Sequence, residues 1–230
     1  MVKLKMSKQY KILLVSGCSW TNKNFKSLFH PELDTTWPKW PELLAEKLNM
    51  KCVNLAMSGA GQEYIYSSIL DTIQSYDTKE IGLIIPAWSL SPRRDYVVGS
   101  KWTNDRHDMV GDISYWITRS IRYYYSLQTI CKQLKIPLKQ FQMINLYKAY
   151  LVETNQIEYT DHLLKVIHNS PYYNKIDTDF LGWPTVEELG GFSVSRSVIK
   201  NQELKISEKD GHPNKKGQEQ IAEFIYERLG

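Results

Sequence analysis

Three short segments carry residue types that can do chemistry together. Ser19 stands in Gly17-Cys18-Ser19-Trp20-Thr21, directly after the apolar run YKILLVS at 10–16. A serine just past a buried strand projects its hydroxyl above the sheet, and the N–H groups of its turn face any anion bound beside it. One turn can thus supply a nucleophile and half of an oxyanion hole. The same position equally suits Ser19 or Thr21 as a helix cap. His212 lies in Asp210-Gly211-His212-Pro213-Asn214, before a closing amphipathic stretch. An imidazole there can reach the same end of a sheet as a general base, with Asp210 orienting it. The plainer alternative is a helix entry capped by Asn214, with His212 on the surface. The third segment is Asn54-Leu55-Ala56-Met57-Ser58-Gly59-Ala60-Gly61. Glycine there lets the backbone approach a ligand, and the N–H of Gly59 can donate to a developing oxyanion; a tight turn and nothing more fits as well.

Other chemistries find less support. The GAG at 59–61 does not satisfy GxGxxG, and the phosphate-loop pattern is absent. His107 with Asp105 and Asp108, and His162 with Asp161, lack a metal-ligand set. Arg93 can bind a substrate carboxylate or phosphate through its fork, or be a solvated charge beside Arg94. With Trp20 and Trp88 it makes up the candidate substrate contacts. The Tyr123-Tyr124-Tyr125 run reads as core and rim, and Phe180-Leu181-Gly182-Trp183-Pro184 as either a lid or a packed loop.

These residues need a scaffold, and the 230-residue length fits one large domain with a sizeable core, 1–230. Hydrophobic residues at 42% and charged residues at 23% exclude a disordered or fibrous chain. The net charge of +4 is scattered, so nucleic-acid binding is not predicted. No run is long enough to span a bilayer, and the N-terminus reads as a first strand, not a secretory signal. Cys18, Cys52 and Cys131 form no CxxC pair. A reduced, cytoplasmic protein is the expectation.

Strand and helix alternate along the chain. Strands are predicted at 10–16, 51–56, 81–87 and near 137–145. Helices are predicted from about residue 40, around Ile65, Ile69 and Ile73, over 112–134, near 147–168 and over 214–229. The polar stretch 88–111 reads as a loop or lid, and 170–209 as irregular. The alternation predicts an α/β domain with a parallel sheet, whose ligand site lies beyond the carboxyl ends of the strands. The turns there are GCSWT, SGAGQ and AWSLS.

In their order and location, these features resemble the SGNH or GDSL-like hydrolases. Ser19 resembles the block I nucleophile, Gly59 the block II glycine with Asn54 five positions before it, and His212 the block V histidine followed by Pro213-Asn214 and Gly217. The resemblance implies a three-layer α/β/α, flavodoxin-like fold. It also implies an esterase working through Ser19, His212 and Asp210, with no cofactor and a small acylated or carbohydrate substrate. In two places the chain departs from the family. Ala87-Trp88-Ser89 stands where G-x-N-D supplies an oxyanion-binding asparagine, so the expected hole is Ser19 and Gly59 with help from Ser89. The family's D-x-x-H is here Asp210-Gly211-His212, which leaves a Ser–His dyad as an alternative to a triad. The GCSWT opening, the LGWP at 181–184 and the DGHPN ending resemble a divergent branch found in tailed phages, which implies a host-cell cytoplasm. A weakly active or inactive binding protein on this fold, or an acyltransferase using the same serine, are the competing expectations.

Overall fold

The computed structural model describes residues 11–105, 112–146 and 156–229. Five strands form one parallel sheet: β1 (Ile12–Ser16), β2 (Lys51–Asn54), β3 (Ile81–Trp88), and further along the chain Gln140–Gln142 and Phe180–Leu181. Between β1 and β2 runs α1 (Trp40–Lys47), with Pro41 in its first turn, where a missing N–H costs nothing. After β2 comes α2 (Gln62–Ile73).

Beyond β3 the chain departs from the expected loop. Residues 88–111 contain an antiparallel hairpin, β4 (Arg94–Val98) and β5 (Lys101–Asp105). Gly99 and Ser100 at its tip both have positive φ, +52° and +67°, which is the two-residue turn whose twist matches a hairpin. Then come α3 (Ile113–Leu134), capped by the Asp112 side chain on Ser114 N, and β6, the Gln140–Gln142 strand. Of the helix expected near 147–168, α4 spans Gln156–His168, and 147–155 lie outside the described residues. The segment 170–209 is mainly irregular but holds β7, the Phe180–Leu181 strand, and the single-turn α5 (Val194–Ser197). Phe180-Leu181-Gly182-Trp183-Pro184 is a packed edge of the sheet and not a lid: Phe180 is buried and Trp183 Nε1 donates to Tyr173 O at 3.0 Å. Finally α6 (Lys215–Tyr226) is capped by Asn214, whose side chain accepts from Gly217 N.

The sheet order β2-β1-β3-β6-β7 is that of a flavodoxin-like doubly wound sheet. Alternate residues of each strand feed opposite layers. Ile12, Leu14 and Ile84 pack with α2, α3 and α4, whereas Leu13, Val15 and Ile85 pack with α1, α5 and α6. Each such buried aliphatic side chain contributes about 1.5–3 kcal/mol, so the two cores hold the strand ends in fixed register. Tyr124 is fully buried and Tyr123 and Tyr125 are half-buried, as core and rim. No helix among the described residues is long and apolar enough to cross a membrane.

Candidate active site

The order reverses between β1 and β3, and in open α/β sheets such a reversal leaves a crevice beyond the carboxyl ends of the strands. The Ser19 turn follows β1 there. Its shape depends on Gly17, where a Cβ would lie 2.6 Å from Thr21 Oγ1. The turn is closed by Thr21 N and Asn22 N donating to Cys18 O at 2.9 and 3.0 Å. It is also tied to the turn after β2: Met57 N donates to Gly17 O at 3.1 Å, Asn54 Nδ2 to Thr21 O at 2.9 Å, and Asn22 Nδ2 to Ser58 Oγ at 3.0 Å. Gly59 therefore belongs to a turn fastened to the one that carries Ser19, and its φ of +86° is one that side-chain-bearing residues rarely adopt. Among the described residues, neither the Ser19 nor the Gly59 N–H has a hydrogen-bond partner.

His212 arrives from the other end of the chain. Its Nε2 lies 2.8 Å from Ser19 Oγ, and its Nδ1 lies 2.5 Å from Asp210 Oδ1. With the Nδ1 proton donated to the carboxylate, Nε2 of the neutral ring is left to accept the Ser19 hydroxyl. The ring packs against Phe25 at 4.3 Å between centroids, and Trp20 lies on another side at 6.3 Å. Asp210 is 1% exposed; its Oδ2 accepts from Ser27 Oγ at 2.5 Å, and its N–H donates to Ser207 Oγ at 3.0 Å. Ser27 Oγ also accepts from His30 N, and His30 Nε2 is 2.8 Å from Ser207 Oγ, so the loop holding Ser27 and the loop holding Asp210 are locked together. Burial pushes the Asp210 carboxyl up, but hydrogen bonds from Ser27 and His212 outweigh it and hold the group below its ordinary value.

The structure thus joins Ser19, His212 and Asp210 in one hydrogen-bonded chain and fastens the turn that holds Gly59 to the turn that holds Ser19. It corrects two of the other expectations, Ser89 and Trp88. Ser89 is fully buried; its carbonyl accepts from Gln62 Nε2 and Gln142 Nε2, each at 2.6 Å, and its Oγ accepts from Arg93 Nη1 at 2.6 Å. It is a joint in the interior and offers no hydroxyl to a ligand. Trp88 is likewise 0% exposed, packed at a tilt against Tyr124 and donating Nε1 to Gln140 Oε1, so it is core and not a substrate contact. Trp20 is 8% exposed and packs beside the His212 ring, where it supports the imidazole. Arg93 is half-buried, held by Ala60 O at 2.9 Å and Ser89 Oγ.

Ser27 and Phe25 went unnoticed in the sequence, because nothing in an irregular stretch marks which residue meets a loop 183 positions away. For metals, His162 is engaged by Ser114 Oγ at 2.7 Å, and no group of three or more His, Cys, Asp or Glu among the described residues is placed to hold an ion. His107 and Asp108 lie outside those residues. The three cysteines are free, with Cys18 and Cys131 buried, and burial pushes Cys52 and Cys131 up to about 12.

No protein-family model matches the sequence, and no curated protein matches it. Solved structures do match in fold. TesA has a TM-score of 0.55 at 14% identity, covering 95% of this chain and 98% of that one. A candidate lipolytic protein of the G-D-S-L family from Desulfitobacterium hafniense has a TM-score of 0.52 at 12% identity, covering 96% of this chain and 99% of that one. The acetyl xylan esterase AlAXEase has a TM-score of 0.50 at 12% identity, covering 96% of this chain and 100% of that one. The α/β/α architecture of this chain is that of the SGNH hydrolases. These likenesses do not bear on the resemblance to phage members.

Proposed function

We propose that this chain, built on the SGNH-hydrolase fold, is a serine esterase. The observation that carries the reading is the alignment of Ser19 Oγ, His212 and Asp210 at hydrogen-bond distance, across elements that the sheet brings together. His212 Nε2 takes the Ser19 proton as Oγ attacks an ester carbonyl. The N–H groups of Ser19 and Gly59 hold the oxyanion. Collapse expels the alcohol, which takes the proton from His212. A water molecule, deprotonated by the same imidazole, then releases the acid and restores Ser19. Asp210, ionised and held by Ser27, keeps the imidazole in the required tautomer and stabilises the imidazolium. The substrate class is a small ester, with an O-acetyl group on a carbohydrate as the narrower expectation. The fold match to an acetyl xylan esterase supports that class.

Intact-mass labelling with a fluorophosphonate tests the reading, on the wild type, Ser19→Ala and His212→Ala, beside turnover of p-nitrophenyl acetate. A single adduct that is lost in both variants is expected. A folded wild type that takes no adduct overturns the esterase reading in favour of a binding protein on this fold. Acyl transfer that depends on an added alcohol or amine would make it an acyltransferase.

A further inference from the structure

The replaced block III residue leaves a question of chemistry. Two backbone N–H groups remain for an oxyanion, and Ser89, at the asparagine's place, is sealed inside. What stands over Ser89 is the Arg93 guanidinium. We propose that Arg93 is the missing oxyanion donor, a charged substitute for the side-chain amide; the proposal rests on the serine-esterase reading above.

Four observations carry it. The first is the anchorage of Arg93: Nη1 donates to Ser89 Oγ at 2.6 Å and to Ala60 O at 2.9 Å, so the group bridges the turn after β3 and the residue next to Gly59. Both hydrogens of that nitrogen are then spent. The second is what is left over. Nε and Nη2 have no hydrogen-bond partner among the described residues, and no carboxylate among them is within ion-pair distance of the fork. A half-buried cation in that state favours an anion arriving beside it.

The third is that the backbone beneath it is fixed. Arg119 Nη2 donates to Ser91 O and Arg93 O at 3.0 and 3.1 Å. Asp95, two residues on, accepts from Gly61 N and Tyr64 N at 2.8 and 2.9 Å and so clips the segment to the start of α2. The fourth is the close approach that Gly61 permits, where a Cβ would lie 2.7 Å from Arg93 Cβ and 2.9 Å from Arg93 O. The second glycine of SGAG is thus the one that lets the arginine segment lie against the oxyanion turn. A donor held on a fixed support beside the site of developing charge is what transition-state stabilisation requires.

The test uses the full chain as wild type, Arg93→Ala, Arg93→Lys and Ser19→Ala, with thermal melting to establish that each is folded. Arg93→Ala should lower kcat on p-nitrophenyl acetate on the order of 100-fold, the usual effect of removing one oxyanion donor, with KM nearly unchanged. Millimolar guanidinium should restore part of the rate to Arg93→Ala and none to Ser19→Ala. If Arg93→Ala does not fold, Arg93→Lys decides the matter, since a point charge without the fork should lower kcat and spare KM. A labelled, active wild type with Arg93 variants equally fast overturns the Arg93 assignment alone. So does a loss confined to KM for esters bearing a carboxylate, which would make Arg93 a reader of the substrate's acid group. A wild type that is neither labelled nor active overturns the esterase reading, and the Arg93 assignment falls with it.

Discussion

Asp210 Oδ1 accepts from both the backbone N–H and the ring Nδ1 of His212, at 3.1 and 2.5 Å. A side-chain oxygen that accepts from the N–H two residues on is an Asx turn, and here the turn folds the chain back tightly enough for the same oxygen to reach the imidazole. One intervening residue is therefore enough for the Asp210 carboxylate to reach both the backbone and the ring of His212.

That geometry makes Asp210→Asn informative. The amide fills the same space but presents an N–H2 or a weaker acceptor to Nδ1, which favours the wrong tautomer. The rate of fluorophosphonate labelling should fall by about 1000-fold or more while the melting temperature at neutral pH changes modestly. Labelling within about tenfold of wild type would show that Asp210 only shapes the loop.

Acid should weaken the fold through the same group. Asp210 is held below its ordinary value of 3.8, so its hydrogen bonds stabilise the native state fully above that value. The contribution is lost as pH falls through the lower folded value. Urea midpoints of the wild type and Asp210→Asn, compared at neutral pH and well below 3.8, should converge on the acid side. A gap that stays constant would mean that the carboxylate charge contributes nothing to stability.

Gly17→Ala should be costly out of proportion to one methyl. Its Cβ would lie 2.6 Å from Thr21 Oγ1 and 2.9 Å from Thr21 Cβ, and relieving the overlap must move the turn that carries Ser19. Destabilisation of about 1–3 kcal/mol is expected, together with slower labelling. Thermal denaturation and labelling rate measured on one sample check both halves.

Trp88→Phe separates core from site. Losing the Nε1 donor leaves Gln140 Oε1 short of its 3.1 Å partner in a fully buried setting, at a cost of about 1–3 kcal/mol. KM for p-nitrophenyl acetate should not move. A KM shift without a stability change would return Trp88 to the substrate surface.

Much of the architecture was readable in advance because its strands are buried on both faces. The run ILLVS needs no context to read as central sheet, and Ile65, Ile69 and Ile73 mark their helix by spacing. The hairpin was hidden for the opposite reason. Val97 and Val98 are 52% and 61% exposed, and a ribbon with little buried face shows no strict alternation. β7 has two residues, too few for any period. Within the site, Ser19 and His212 could be located from their flanking elements. The sealing of Ser89 could not, since it depends on Gln62, Gln142 and Arg93 converging from three separate segments.

The pairing of Ser19 with His212 spans 193 positions, and the helix after His212 is stitched to the first turn by Gln218, whose Oε1 accepts from Trp40 N and whose Nε2 donates to Trp20 O. On the esterase reading, Ser19 therefore has no general base until the loop before α6 has been synthesised and seated beside it, and a chain still on the ribosome would carry only an ordinary alcohol at that position.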